Sequence, residues 1–234
     1  PTSKRENNLK LDLNVGNTIE FWLKKTGYDD ALGHKEVIFE LTDQENQNLQ
    51  IFASSSSGAT VGALCIMFES SSTNTVRSLT EATFTKDTLA DGNWHHYAIT
   101  MKKQASTTVN TKLYIDSQLH KEQNVVFSAY SEITSSQKGL LGTIGAKAST
   151  IGNGQLFSAS VDEFRFWKSE RNGKQIGQNW FTPIGGGTDD SLDNIDLGVY
   201  FKFNEGITLT ASTDSTILDY SGRLSNGTFV GYHA

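Results

Sequence analysis

The stretch Thr18-Ile19-Glu20-Phe21-Trp22-Leu23-Lys24 sets Ile19, Phe21 and Leu23 at every second position, with Glu20, Trp22 and Lys24 between them. Successive side chains of a strand point to opposite faces, so a period of two is the pattern of a strand buried on one side. The same beat returns along the chain. Val37, Phe39 and Leu41 fall on one side of the next run, and further strand-like runs cover 48–53, 63–68, 94–101, 112–115, 140–145, 156–167 and 199–203. β-branched and aromatic residues dominate these runs, and such side chains suit a pleated, half-buried surface. Between them lie Ser54-Ser55-Ser56-Ser57-Gly58, Ser70-Ser71-Ser72-Thr73-Asn74, Gly152-Asn153-Gly154 and Gly185-Gly186-Gly187, which favour turns and loops. Many short strands joined by polar loops imply an all-β fold of two packed antiparallel sheets. In that register Ile19, Phe21, Leu23, Phe39, Leu113, Ile115, Phe164 and Phe166 are predicted to lie between the sheets.

One short helix is predicted over 169–181. Ser169 can cap it, Ile176 and Trp180 stand four apart on one face, and Gly173 and Gly177 weaken it. The 234 residues afford one well-cored domain. No apolar run approaches the eighteen or more residues of a membrane helix, which argues against membrane insertion. A formal charge of −6 argues against nucleic acid as a partner. The only cysteine, Cys65, sits in an apolar run and reads as a buried small hydrophobe. Pro1 opens the chain without Met or an apolar leader, as processing or excision from a longer multi-module chain would leave it. Thr182-Pro183-Ile184-Gly185-Gly186-Gly187 is the clearest linker signal. It divides the chain into a core over 1–184, a Gly/Asp-rich linker or crossover over 185–196, and a strand segment over 197–234.

Three ordered blocks carry a resemblance: Asp91-Gly92-Asn93-Trp94-His95-His96-Tyr97-Ala98-Ile99-Thr100, then Lys112-Leu113-Tyr114-Ile115-Asp116, then Val161-Asp162-Glu163-Phe164-Arg165-Phe166-Trp167. Together with the opening block at 8–24 they resemble the laminin G-like, concanavalin A-like lectin jelly roll over residues 9 to 181. Domains of that kind occur in tailed-phage structural proteins and bacterial surface proteins. Two departures stand out. Ser117 follows Asp116 where the family usually has the Gly of a tight hairpin, which points to another type of turn. The segments 199–206 and 219–229 look like the part that opens such a module, yet they follow its closing block. They either complete this sandwich or begin a second module.

Candidate chemistry is sparse. His95 and His96 are neighbours on a strand, point to opposite faces and do not form a zinc site. The Glu-x-Asp-x-x-Glu string of related hydrolases does not occur. Asp162 and Glu163 are neighbours as well and so face opposite sides unless a bulge intervenes. The reading is therefore of a protein that is not an enzyme. Calcium is the cofactor the resemblance implies, with Asp162 and Asp219 as candidate ligands, and Asp29, Asp30, Asp189 and Asp190 as further oxygen donors. The alternative for Asp162 is a carboxylate that accepts backbone N–H bonds to fix a corner. Tyr28 and Tyr130 lie in loops and are the candidate sugar-stacking aromatics, whereas Trp22, Trp94, Trp167 and Trp180 read as core packing. Asn226-Gly227-Thr228 is a glycosylation sequon. The function expected is a non-catalytic interaction module of a larger surface or virion structural protein, serving adhesion, decoration or assembly. The alternative is a calcium-assisted carbohydrate-binding lectin domain. Partners would be a glycan or other surface or virion proteins, and the location extracellular or on a virion surface.

Overall fold

Alternation along Asn17–Lys25 buries Ile19, Phe21 and Leu23 on one face of a strand, β1, that lies inside the larger of two sheets. The computed structural model describes residues 8–29, 35–43, 47–56, 62–70, 73–127, 140–148, 154–185, 193–206 and 215–230. The remaining strands are β2 (Lys35–Thr42), β3 (Gln47–Ser54), β4 (Leu64–Ser70), β5 (Thr73–Ser78), β6 (Trp94–Lys103), β7 (Thr108–Ile115), β8 (Gln118–Val126), β9 (Leu141–Ile144), β10 (Ala159–Trp167), β11 (Leu197–Phe201), β12 (Thr216–Ile217) and β13 (Gly227–Thr228). A six-stranded sheet runs β11-β10-β1-β6-β7-β8 and a five-stranded sheet β5-β4-β3-β2-β9, while β12 and β13 form a separate hairpin. Among the described residues the strands pair antiparallel throughout.

The main core lies between the two sheets. Ile19, Phe21, Leu23, Phe39, Leu113, Phe164 and Phe166 are buried there, and Ile115 is half-buried against them. Phe39 packs on Phe164 with ring centroids 5.0 Å apart, joining the sheets across the middle. One charged pair is enclosed with this apolar set: Lys25 Nζ meets Glu36 Oε2 at 2.5 Å with both side chains buried. The second oxygen of Glu36 accepts the Asp29 N–H at 3.0 Å, so the carboxylate is satisfied from two sides. No helix among the described residues is long and apolar enough to cross a membrane.

Three local features differ from the sequence reading. A bulge between Val37 and Phe39 turns Val37 to the outer face, where it packs with Phe52, Cys65 and Met67, while Phe39 and Leu41 face the core. Burial there pushes the Cys65 thiol up to about 12, consistent with an inert packing residue. The helix covers Gly173–Asn179 and is capped by Asn172 rather than Ser169. Asn172 Oδ1 accepts the Gln175 N–H at 3.0 Å and Gln175 Oε1 accepts the Asn172 N–H at 2.9 Å, a reciprocal box that offsets the two glycines. The β7–β8 turn is a tight two-residue one despite its serine. Asp116 and Ser117 both take positive φ, 49° and 69°, between the paired residues Ile115 and Gln118.

Candidate functional site

The outer face of the six-stranded sheet is built in rows across β6, β1 and β10. His96, Trp22 and Asp162 form one row, and Ala98, Glu20 and Arg165 the next. Opposite Phe21, the register between Glu20 and Trp22 shifts, and Glu163 takes φ 50°. This bulge breaks the alternation, because Glu163 then reaches Arg165 and the hydroxyl of Tyr200 on the outer face, the face that Asp162 shares with Trp22. The expectation that Asp162 and Glu163 point apart is thus corrected: both carboxylates lie on one side.

Beneath them runs a buried ionic network. Glu20 is fully buried, with Arg171 Nε 3.2 Å from one oxygen, and Arg165 Nη1 at 3.5 Å and His96 Nε2 at 3.7 Å from the other. Burial alone would raise the Glu20 carboxyl, but His96, Arg171 and Arg165 outweigh it and hold it below the ordinary carboxylate range. Arg165 also donates to the carbonyl of Asn179 at 2.8 Å and to that of Thr182 at 3.1 Å. The segment carrying Trp180 and Phe181 therefore hangs from a guanidinium anchored in the sheet. Arg171 grips the same turn through Asn179 Oδ1 at 2.7 Å.

What that segment presents is aromatic. Trp180 stacks on Trp22 with centroids 5.6 Å apart and an interplanar angle of 23°, and Trp22 Nε1 donates to the Trp180 carbonyl at 3.2 Å. Phe181 follows at 5.6 Å from Trp180 and is 75% exposed. Asp162 stands beside Trp22. Its Oδ1 accepts the Glu163 N–H at 2.8 Å, and burial together with the charge of Glu163 raises its pKa. Three rings and a carboxylate with an open oxygen thus meet on a half-exposed surface. Trp22, Trp94 and Trp180, read from the sequence as core, are the residues that reading misplaced, Trp94 standing exposed at the start of β6. The signal was present in the alternation itself, which puts Trp22 on the side opposite Phe21.

The other candidate residues lie elsewhere. Asp219 is buried at the corner after β12. Its Oδ1 accepts the N–H groups of Tyr200 at 3.0 Å and Ser221 at 2.9 Å, and its Oδ2 accepts Ser221 Oγ and the Ser225 N–H, each at 2.9 Å. The corner-fixing role considered for Asp162 is the one Asp219 performs. Tyr28 is half-buried, with the Lys25 ammonium 4.1 Å above its ring, and burial raises its phenol pKa. Asp29 has its N–H on Glu36. Tyr130, Asp30, Asp189 and Asp190 lie outside the described residues. His95 and His96 do point apart: His96 lies under Trp22 and Trp180, while His95 bridges Asp116 at 2.7 Å and Asp91 at 3.1 Å. Among the described residues no three of His, Cys, Asp and Glu come together as metal ligands.

Two packed antiparallel sheets with few helices define a jelly-roll sandwich of the concanavalin A-like type. The chain belongs to the concanavalin A-like lectin/glucanases superfamily, whose family model matches residues 4–177. No curated protein matches it in sequence. Among solved structures it is similar to a protein from Bacteroides ovatus ATCC 8483 put forward as carbohydrate-binding, at 17% identity and a TM-score of 0.56, covering 93% of this chain and 52% of that one. Mouse laminin α1 domains LG4-5 match at 16% identity and a TM-score of 0.44, over 70% of this chain and 39% of that one. The likeness to the Bacteroides protein speaks for the fold alone, and the chain spans about half the length of that protein.

Proposed function

We propose that this chain is a non-catalytic carbohydrate-binding module of a larger extracellular surface protein, and that it holds a glycan on the outer face of the six-stranded sheet. Trp22, Trp180 and Phe181 serve as the stacking platform and Asp162 accepts sugar hydroxyls. The observation that carries this reading is the bulge at Glu163, which leaves Asp162 on the face of the three rings. A pyranose has a flat apolar face that packs on an aromatic ring and equatorial hydroxyls that need acceptors at its rim. Membership of a superfamily of lectins and glucanases supports a sugar ligand, as does the carbohydrate-binding assignment of the Bacteroides relative in fold. A binding role is favoured over hydrolysis because Glu163 is held by Arg165 and Tyr200 instead of facing Asp162 across a cleft. Residues 197–234 belong to the same module in this reading, since β11 pairs with β10 and Tyr200 holds Glu163.

The test is a glycan array, followed by titration calorimetry of the strongest uncharged hit against the intact chain and F181A. Phe181 is exposed, so its removal leaves the fold intact. We expect a loss of affinity of about threefold to tenfold, the range of one aromatic stacking contact. The reading fails if no glycan binds, or if F181A binds as tightly as the parent. Of Asp162 and Asp219, only Asp162 keeps an oxygen for calcium, since the Asp219 oxygens are committed to N–H and O–H donors. A chelator is expected to leave the affinity unchanged. Loss of binding in chelator, restored by calcium and absent in D162N, would establish the calcium-assisted form.

A further inference from the structure

We infer that the patch selects uncharged sugars and turns away acidic ones, meaning those that carry a carboxylate or a sulfate; this rests on the stacking reading above. Trp22 Nε1 and both Arg165 Nη groups are spent inside the protein, the first on the Trp180 carbonyl, Nη1 on the Asn179 carbonyl, and Nη2 on Glu163 and the Thr182 carbonyl. The Arg165 side chain is 2% exposed and out of a ligand's reach. The oxygens left open are carboxylate ones, Asp162 Oδ2 and Glu163 Oε1, and no ion pair reaches Asp162 among the described residues. An ionised carboxylate only accepts, so the ligand must bring hydroxyl or amine hydrogens. A sugar carboxylate or sulfate brings a like charge and no donor, the kind of mismatch that excludes a ligand. Two cations flank the patch. Lys24 stands one row toward the strand end, and Lys202 lies 5.3 Å over the Tyr200 ring and 4.6 Å over that of Tyr220. Asp162 stands beside Trp22, one row from Lys24.

The test uses matched pairs of glucosides and galactosides against their sialylated, sulfated and uronic-acid counterparts, measured by calorimetry on the intact chain at low and high salt. The uncharged member is expected to bind at least about tenfold tighter at low ionic strength, with the gap narrowing as salt screens the repulsion. D162N should narrow the gap, and D162K should reverse it. Equal or tighter binding of the acidic member, still weakened by F181A, overturns this inference while leaving the stacking reading intact. Unchanged discrimination in both Asp162 variants, each shown folded by circular dichroism, overturns it as well. If no member of any pair binds, the stacking reading falls and this inference with it.

Discussion

Glu20 alternates with buried apolar neighbours and so reads from the sequence as a polar residue on an outward face. That face is covered, and Glu20 is as buried as Phe21. A lone buried carboxylate would be costly, and the two arginines that neutralise it come from residues 165 and 171, far along the chain. Replacing Glu20 with Gln keeps the shape but removes the buried charge that Arg171 and Arg165 share, leaving Arg165 with Glu163. Urea unfolding of E20Q should show a loss of about 3–5 kcal/mol. A loss below about 1 kcal/mol would mean that the arginines' other partners, Glu163 and the Asn179 turn among them, suffice to hold them. Asp219 carries a related lesson. The family resemblance marked it as a candidate calcium ligand, and the folded chain surrounds it with four N–H and O–H donors.

At the scale of elements, strand alternation was legible wherever the backbone stayed regular, as in β1, and misled where a bulge intervened. Neither Ile38 nor Glu163 is a glycine, so no residue type announced the inserted position at either site. The bulge at Glu163 matters most, because the site depends on it. The helix was legible in place but not in its cap, since Ser169 and Asn172 are both good capping residues and only the latter has a Gln three positions on. The β7–β8 turn yields a direct prediction. Ser117 sits at φ 69°, a conformation that costs a residue with a Cβ about 1–2 kcal/mol and glycine almost nothing. S117G should therefore raise stability by about 1 kcal/mol, part of the gain being lost to the greater freedom of glycine when unfolded. A melting temperature lowered by this change would show that the serine side chain stabilises the turn.

At the scale of the whole molecule, the chain closes its larger sheet with a strand that lies outside the region matched by the family model. Leu197, Val199 and Tyr200 are buried in β11, and the chain approaches so closely there that a Cβ on Gly198 would fall 2.1 Å from the Asn8 carbonyl oxygen. Arg223 Nε donates to the Leu197 carbonyl at 2.8 Å and Ser221 Oγ to the Gly198 carbonyl at 3.3 Å, so the segment after β12 fastens β11 in place. Removing residues 197–234 would forfeit the burial of these three side chains, roughly 5 kcal/mol or more, against a typical total of about 5–15 kcal/mol. We expect the shortened chain to be insoluble or to melt far below the parent, and to lose glycan binding as Glu163 loses its Tyr200 partner. A soluble, monomeric and equally stable deletion would assign the segment to another module.

The central claim, that a glycan stacks on the outer face of the six-stranded sheet, is tested most directly by the indole N–H signals of the four tryptophans in a nitrogen-15 NMR titration. Trp22 and Trp180 lie in the patch, whereas Trp167 is fully buried beneath the Arg171 guanidinium and serves as an internal reference. With the strongest uncharged array hit as titrant, the account predicts progressive shifts of the Trp22 and Trp180 signals, a still Trp167 signal, and the same shifts in F181A only at about threefold to tenfold higher ligand concentration. Saturable glycan binding that leaves Trp22 and Trp180 unmoved would contradict it.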